Sequence, residues 1–163
     1  MPVIIRAAAP ADAEAITRVY MDSAEHHAAA DPERCYVPDR VAIVERYREG
    51  RQHPESDLPA ITLVAEQNGE ITGFLDAQIQ QPFDPMLRPV LYCFIADIAV
   101  AASHRNQGIG EQLMRAAETW ARENGAIFTS LLYNQGNSRA ARLYERLGYS
   151  TGSVGMLKRL PNA

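Results

Sequence analysis

The apolar residues of this 163-residue chain follow two periodicities in turn, and their alternation predicts an α/β fold. Short apolar runs typical of strands are expected at residues 3–7, 61–66, 71–79, 91–100, 126–133 and 149–160. Amphipathic stretches typical of helices are expected from residue 10 to the break at 31–33, and at 40–52, 110–124 and 137–147. The predicted order is β-α-α-β-β-β-α-β-α-β, in one domain over residues 1–163.

The same periodicity predicts which side of each element faces the core. The inward residues are expected to be Ile16, Val19, Tyr20, Ser23 and His27 in the first helix, Val41, Val44 and Tyr47 with Ile43 as a further candidate in the second, and Ile109, Leu113, Ala116, Ala117 and Trp120 in the third. Asn68-Gly69 predicts a hairpin turn between two strands. The run 91–100 is apolar on both sides, which predicts a central strand covered on both faces.

Charge and composition exclude several classes of partner. The formal net charge is −4, which argues against a nucleic-acid binder, because phosphate contacts require a basic face. The N-terminus shows no signal-peptide pattern and no apolar run approaches a membrane span, so a cytoplasmic protein without membrane contact is expected. We interpret the two cysteines, Cys35 and Cys93, as bystanders to any chemistry.

The first chemical motif is the loop Arg105-Asn106-Gln107-Gly108-Ile109-Gly110, between a predicted strand and a predicted helix. Two glycines at a helix start expose backbone N–H groups to a ligand, and the helix dipole favours a phosphate there. The spacing does not fit the dinucleotide pattern G-x-G-x-x-G, and no lysine follows as in a P-loop.

The second motif is the block that runs from Asn137 to Tyr149. Asn137 is a favoured N-cap residue, and Gly148 stands where a helix ends. Ala140, Leu143, Tyr144 and Leu147 share one helix face, on which Tyr144 alone carries a polar group. A core tyrosine with a satisfied hydroxyl is the alternative to a functional one.

In this order, the patterns R-x-x-G-x-G and N-x-x-A-x-x-x-Y-x-x-x-G-Y resemble the two signatures of the GCN5-related N-acetyltransferase (GNAT) superfamily. The resemblance covers nearly the whole chain, although its specific motifs lie in the second half. It implies a mixed, mostly antiparallel sheet flanked by helices, with splayed central strands. It also implies acetyl-CoA as cosubstrate and no metal, and it makes a homodimer with the last strand at its edge a further expectation.

The resemblance implies roles for individual residues. Acetyl-CoA is expected to contact Ile98, Ala99, Val100, Arg105, Asn106, Gln107, Gly108, Ile109, Gly110, Asn137, Arg139, Ala140 and Tyr144. The backbone of the central strand would bind pantetheine like an added strand, and a backbone N–H near Ile98 would stabilise the oxyanion. Tyr144 would protonate the departing thiolate.

The sequence does not select a single residue as the general base. Asp97 is the one carboxylate within the central apolar strand, where desolvation would suit it to accept a proton. Some superfamily members carry an acidic residue one position earlier, where this chain has Ala96. A structural carboxylate, a base role for His27 (with a core histidine as its alternative), and a water chain all stay open.

The acceptor is not selected by the sequence. The segment 24–39 mixes acidic, basic and aromatic residues, so a small-molecule amine, which we favour, and a protein amine both remain. Tyr92 and Phe94 favour acetyl over longer acyl groups. The alternative function is a non-catalytic acyl-CoA-binding sensor, which would need the glycine loop but not Tyr144.

Overall fold

The structure is a computed structural model that describes residues 2–50, 57–82, 84–134 and 136–159. Its contacts divide the chain into two compact units, Met1–Leu132 and Tyr133–Ala163. Within the described residues, the first unit holds five strands and three α-helices, and the second holds one α-helix. The single domain expected over residues 1–163 stays a prediction.

The first unit is built on one sheet whose strands lie in chain order. They are β1 (Ile4–Ala7), β2 (Ala60–Gln67), β3 (Glu70–Gln80), β4 (Tyr92–Val100) and β5 (Phe128–Leu131). Neighbours pair antiparallel except for β4 and β5, which pair parallel. The predicted mixed, mostly antiparallel sheet is therefore confirmed. Asn68 and Gly69 both have positive φ, 55° and 77°, as the tight β2–β3 hairpin requires.

The helices begin and end largely where the sequence predicts. They are α1 (Ala13–Ala30, after a 3-10 turn at Pro10–Asp12), α2 (Arg40–Glu49), α3 (Ile109–Glu123) and, in the second unit, α4 (Ser138–Arg146). The Asp39 side chain caps α2 by accepting from the Ala42 N–H at 3.0 Å. Glycines in left-handed conformation, Gly125 and Gly148, follow the ends of α3 and α4.

The helices of the first unit pack on opposite faces of the sheet. Phe74 of β3 joins a buried cluster with α1 and α2, whereas the backbone of its neighbour Gly73 lies against Ile109 and Leu113 of α3. Successive residues of a strand point to opposite faces, so α1 and α2 cover one face and α3 the other. A side chain at Gly73 would be crowded, because a Cβ there would lie 3.0 Å from the Ala99 carbonyl oxygen.

Some predicted inward faces are wrong in detail. In α2, Ile43 is buried and Val41 is 63% exposed, since one turn cannot direct both toward the sheet. His27, near the end of α1, is exposed rather than part of the core. The fully buried residues of α3 include Met114 and Ala121, whereas Ala116 and Trp120 are only half-buried.

The last predicted strand, 149–160, is also wrong over its described part. Residues 149–159 form no strand, and Val154, Met156 and Leu157 are more than three-quarters exposed. Gly152 and Gly155 interrupt the apolar alternation, and glycine weakens a strand because it adds no packing surface. The homodimer, for which this segment was the expected edge, stays a prediction. Residues 51–56, predicted as a helix end and a loop, lie outside the described residues.

Candidate active site

The central strand β4 separates from its neighbour β5 halfway along its length. Residues Tyr92–Ile95 pair with Phe128–Leu131, but in the described chain residues 97–100 pair only with β3. The register with β3 shifts where Asp76 faces Asp97 and Ala77 faces Ile95, so that Ala96 is the extra residue of a β-bulge. The parting of β4 and β5 agrees with the expected splay. It also leaves most of β4 half-buried, not covered on both faces as expected.

The glycine loop lies directly after this unpaired half of β4. Asn106 and Gly108 have left-handed φ values, 64° and 77°, and α3 begins at Ile109. Asn106, Gln107 and Gly108 are exposed, and a Cβ at Gly108 would meet no atom within 4 Å. The loop therefore presents the N-terminus of a 15-residue helix to open space, which is a favourable site for an anion.

Arg105 connects the loop to the strand. Its Nε donates a hydrogen bond to the Val100 carbonyl oxygen at 3.1 Å, and the side chain is half-buried. The other guanidinium N–H groups make no hydrogen bond to the described residues. A guanidinium held in this way adds positive charge beside the loop amides.

A cluster of charged and hydroxyl groups lies at the bulge, on the face covered by α1 and α2. Its centre is Asp76 of β3, which is 0% exposed. Thr62 Oγ1 donates to Asp76 Oδ1 at 2.7 Å, and the Tyr47 hydroxyl donates to Oδ2 at 3.1 Å. Arg46 Nη2 lies 3.4 Å from Asp76 Oδ2 and 3.7 Å from Asp97 Oδ2. Asp76 was missed by the sequence analysis, although a single carboxylate inside the apolar run 71–79 was a visible signal.

Asp97, the candidate base, is not desolvated as the sequence predicts. Its side chain is 41% exposed, with the Arg46 guanidinium as an ion-pair partner. The bulge at Ala96 and the cross-strand pairing with Asp76 place it in a charged setting rather than an apolar one. A partly exposed carboxylate beside a cation suits the binding of an ammonium group.

Two aromatic rings lie beside the guanidinium of Arg46. Its Cζ lies 6.0 Å from the Tyr20 ring centroid and 5.4 Å from that of Tyr47, and both tyrosines contact Phe74. Burial, and then the Asp76 carboxylate, raise the pKa of the Tyr47 hydroxyl. Burial, and then Asp97, raise the pKa of Tyr20. Both hydroxyls are therefore protonated at neutral pH.

The second unit carries the other predicted residues. The Asn137 side chain accepts from the Ala140 N–H at 3.1 Å, so it caps α4 as predicted. Tyr144 is buried between the rings of Tyr133 and Tyr149, with centroids 5.7 and 6.0 Å away. Burial raises the pKa of Tyr144, which keeps its proton at neutral pH. Arg139 is exposed.

Other candidate groups are dispersed. His26 and His27 are both exposed, and the described residues contain no group of three or more histidine, cysteine or carboxylate side chains arranged to hold a metal ion. Cys93 is buried and Cys35 half-buried. None of the described helices combines the length and apolar character needed to cross a bilayer.

The sequence was also compared with families of known proteins. Residues 14–149 match the acetyltransferase (GNAT) family, which is well over half of the chain. The chain belongs to this family.

Individual relatives match parts of the chain. It is 35% identical over 97 residues to the uncharacterized N-acetyltransferase YhfO of Bacillus subtilis, covering 58% of this chain and 63% of that one. It is 45% identical over 56 residues to a streptothricin acetyltransferase of Streptomyces lavendulae, covering 34% of this chain and 30% of that one. The chain thus spans less than two thirds of the length of either relative.

A solved structure extends the likeness to the whole fold. The structure of AAC(6')-Iy in complex with the bisubstrate analog CoA-S-monomethyl-acetylneamine superposes with a TM-score of 0.70, covering 99% of this chain and 100% of that one. At 19% sequence identity this likeness shows the fold alone.

Proposed function

We propose that this chain is an acetyl-CoA-dependent N-acetyltransferase that acetylates the primary amine of a small molecule by direct attack in a ternary complex. The observation that carries the proposal is the second half of β4, whose edge toward β5 is unpaired in the described chain. This half leads directly into the glycine loop, which is suited to bind an anion. A strand edge followed by a helix N-terminus matches a ligand that has an amide-bearing arm and a pyrophosphate.

In this proposal each part of CoA has its own residues. The amides of the loop, from Gln107 to Gly110, hold the pyrophosphate, and Arg105 adds positive charge. The backbone of residues 98–100 binds pantetheine as an added strand. The family resemblance further implies Asn137, Arg139 and Ala140 as residues that contact the cofactor.

The chemistry follows from the needs of acetyl transfer. Asp97 takes a proton from the bound ammonium group, and the neutral amine then attacks the thioester carbonyl carbon. A backbone N–H near Ile98 stabilises the oxyanion. When the carbon–sulfur bond breaks, the proton of the Tyr144 hydroxyl passes to the thiolate, and the proton that the new amide nitrogen loses restores the hydroxyl of Tyr144. Burial raises the pKa of Tyr144, so its hydroxyl still carries the proton when the thiolate forms.

A small-molecule acceptor is favoured by two observations. Asp97 is exposed at the bulge, and the chain as a whole is acidic, which suits a cationic amine. Two similar proteins are also named with small amines. One is the streptothricin acetyltransferase, and the other is AAC(6')-Iy in complex with an acetylneamine analog.

The test is a panel of amines with acetyl-CoA, read by thiol release and by mass of the product. The panel contains aminoglycosides, polyamines, amino acids and a lysine peptide. We expect acetylation of at least one small amine, and roughly tenfold or more slower turnover in Tyr144→Phe, within the usual range for losing a general acid. Acetylation of the peptide alone would contradict the choice of acceptor.

Calorimetry with CoA separates transfer from binding. Tyr144→Phe should bind CoA as the wild type does, since the ring is kept. Gly108→Val should weaken binding, because it places a branched side chain in the open space beside the loop and is strained at a φ of 77°. Tight CoA binding without transfer to any amine would favour the sensor function instead.

A further inference from the structure

We propose that Arg46 is a positioning residue that fixes the carboxylate of Asp97, and that buried Asp76 anchors Arg46 for this purpose. The inference rests on the proposed function, because it gives Arg46 a role in amine acetylation. Arg46 acts through Asp97 and contacts no reacting atom itself.

The first step of the argument is the pairing of two like charges. Asp76 and Asp97 stand opposite each other on adjacent strands, at the bulge in β4. Carboxylates directly opposite in a sheet repel each other. The guanidinium of Arg46 compensates this repulsion, since its Nη2 lies within 4 Å of an oxygen of each.

The second step is the difference between the two carboxylates. Asp76 is 0% exposed, and both of its oxygens accept hydrogen bonds, Oδ1 from Thr62 and Oδ2 from Tyr47 and Arg46. It is sealed from any ligand. Asp97 is 41% exposed, so a ligand amine reaches it. The guanidinium of Arg46 therefore connects the buried carboxylate of Asp76 to the accessible carboxylate of Asp97.

The third step is the confinement of the guanidinium. Arg46 projects from α2 and lies near the rings of Tyr20 and Tyr47. Burial lowers the pKa of Arg46, but its neighbours raise that pKa by more, so the overall shift is upward. These neighbours are Tyr47, Asp76 and Asp97. A guanidinium is always charged and planar, and here it lies near two rings. It therefore holds the Asp97 carboxylate in one position better than the more flexible side chain of a lysine would.

Together these contacts hold the Asp97 carboxylate in place at the bulge, where it binds the ammonium of the acceptor and accepts its proton. A displacement of about 1 Å at such a group costs up to roughly a hundredfold in rate. Arg46 is therefore expected to affect kcat for the amine, and to leave CoA affinity unchanged.

The experiment is a double-mutant cycle of Arg46→Gln and Asp97→Asn, with activity expressed per CoA-binding site titrated by calorimetry. We expect Arg46→Gln to lower kcat by roughly tenfold or more in the wild-type background, and by less than about twofold in the Asp97→Asn background. Arg48→Gln is the matched control, because Arg48 is an exposed residue on the same helix and its change removes the same charge. The control should change kcat by less than about twofold.

The pH–rate profile gives a second readout that a purely structural role would not move. The groups that face Asp97 include Arg46 and Tyr47 from α2, Asp76 from β3 and Tyr20 from α1. Removing the guanidinium disfavours the ionised carboxylate, so the acid limb should move to higher pH in Arg46→Gln. Arg46→Lys keeps the charge and should restore the limb.

The outcomes separate the two proposals. Equal losses from Arg46→Gln in both backgrounds, or a loss no larger than in Arg48→Gln, would overturn the role of Arg46 while acetylation by the wild type stands. No transfer by the wild type to any amine would overturn the proposed function and this inference with it. If Arg46→Gln fails to bind CoA stoichiometrically, the same cycle with Arg46→Met, which also removes the charge, decides between the first two results.

Discussion

The two faces of strand β3 differ in chemistry although they share one backbone. The face toward α3 carries Gly73, Leu75, Ala77 and Ile79, all without a polar side chain. The face toward α1 and α2 carries Ile71, Phe74, Asp76 and Gln78, and its two polar residues are both buried. One face is a close-packed apolar support, and the other holds a polar network next to the bulge in β4.

The difference shows how the fold combines rigidity with a charged site. Close packing against β3 holds the start of α3, where the glycine loop ends, because Gly73 admits the side chains of Ile109 and Leu113. The polar network reaches Asp97, the carboxylate proposed to meet the amine, through Arg46. In the proposed reaction, the face toward α3 supports the cofactor loop and the face toward α1 and α2 supports the acceptor site.

The largest expected effect comes from breaking the polar face at Asp76→Ala. The substitution leaves the buried hydroxyls of Thr62 and Tyr47 without their acceptor and Arg46 without its anchor. We expect the free energy of unfolding to fall by about 3 kcal/mol, measured by urea denaturation. Asp22→Ala, an exposed carboxylate on α1, is the control. A loss as small as that of the control would mean that the network contributes little to stability.

Crowding the apolar face at Gly73→Ala should have a smaller effect. The new Cβ would lie 3.0 Å from the Ala99 carbonyl oxygen, which is backbone and must shift. We expect a loss of about 2 kcal/mol in the same assay, typical of overpacking. Gly152→Ala in the C-terminal segment meets no atom within 4 Å and should be close to neutral. Unchanged stability in Gly73→Ala would show that β4 yields easily, contrary to the rigid-support interpretation.

The smallest effect is expected at a charge pair near the surface, Arg6 and Asp12. The hydrogen bond from Arg6, at 2.7 Å, lowers the pKa of Asp12, which also accepts from the Ala9 N–H. Because the folded-state pKa lies below the unfolded one, this stabilisation is complete at neutral pH and is lost as pH falls through the folded-state pKa. Asp12→Asn should cost about 1 kcal/mol or less at pH 7.

Denaturation of Asp12→Asn and wild type over a pH series checks this last prediction. The two stability curves should converge toward acid pH, where the wild-type carboxylate is protonated as well. A difference that is constant with pH would assign the effect to the lost cap of the 3-10 turn rather than to charge. In either case the comparison with Asp76→Ala measures how much burial strengthens a charged contact.

The sequence by itself determined the features that depend on neighbouring residues. The hairpin at Asn68-Gly69, the cap at Asn137 and the left-handed Gly148 follow from local backbone and side-chain geometry, and the structure has them as expected. The glycine loop and the order of elements, apart from the last strand, were also predictable from neighbouring residues. Periodicity and turn chemistry extend over a few residues only, so they can be read along the chain.

Only the tertiary structure decided the polar network. Arg46 and Asp76 are 30 residues apart in the chain, and the bulge that places Asp97 opposite Asp76 depends on the register of two strands. The same holds for the choice of Ile43 over Val41 in α2 and for the absence of a strand at 149–159, since packing partners decide which apolar residues are buried. Local patterns carry no information on register or on which distant charge neutralises a carboxylate, because those are settled by desolvation and packing in the folded chain.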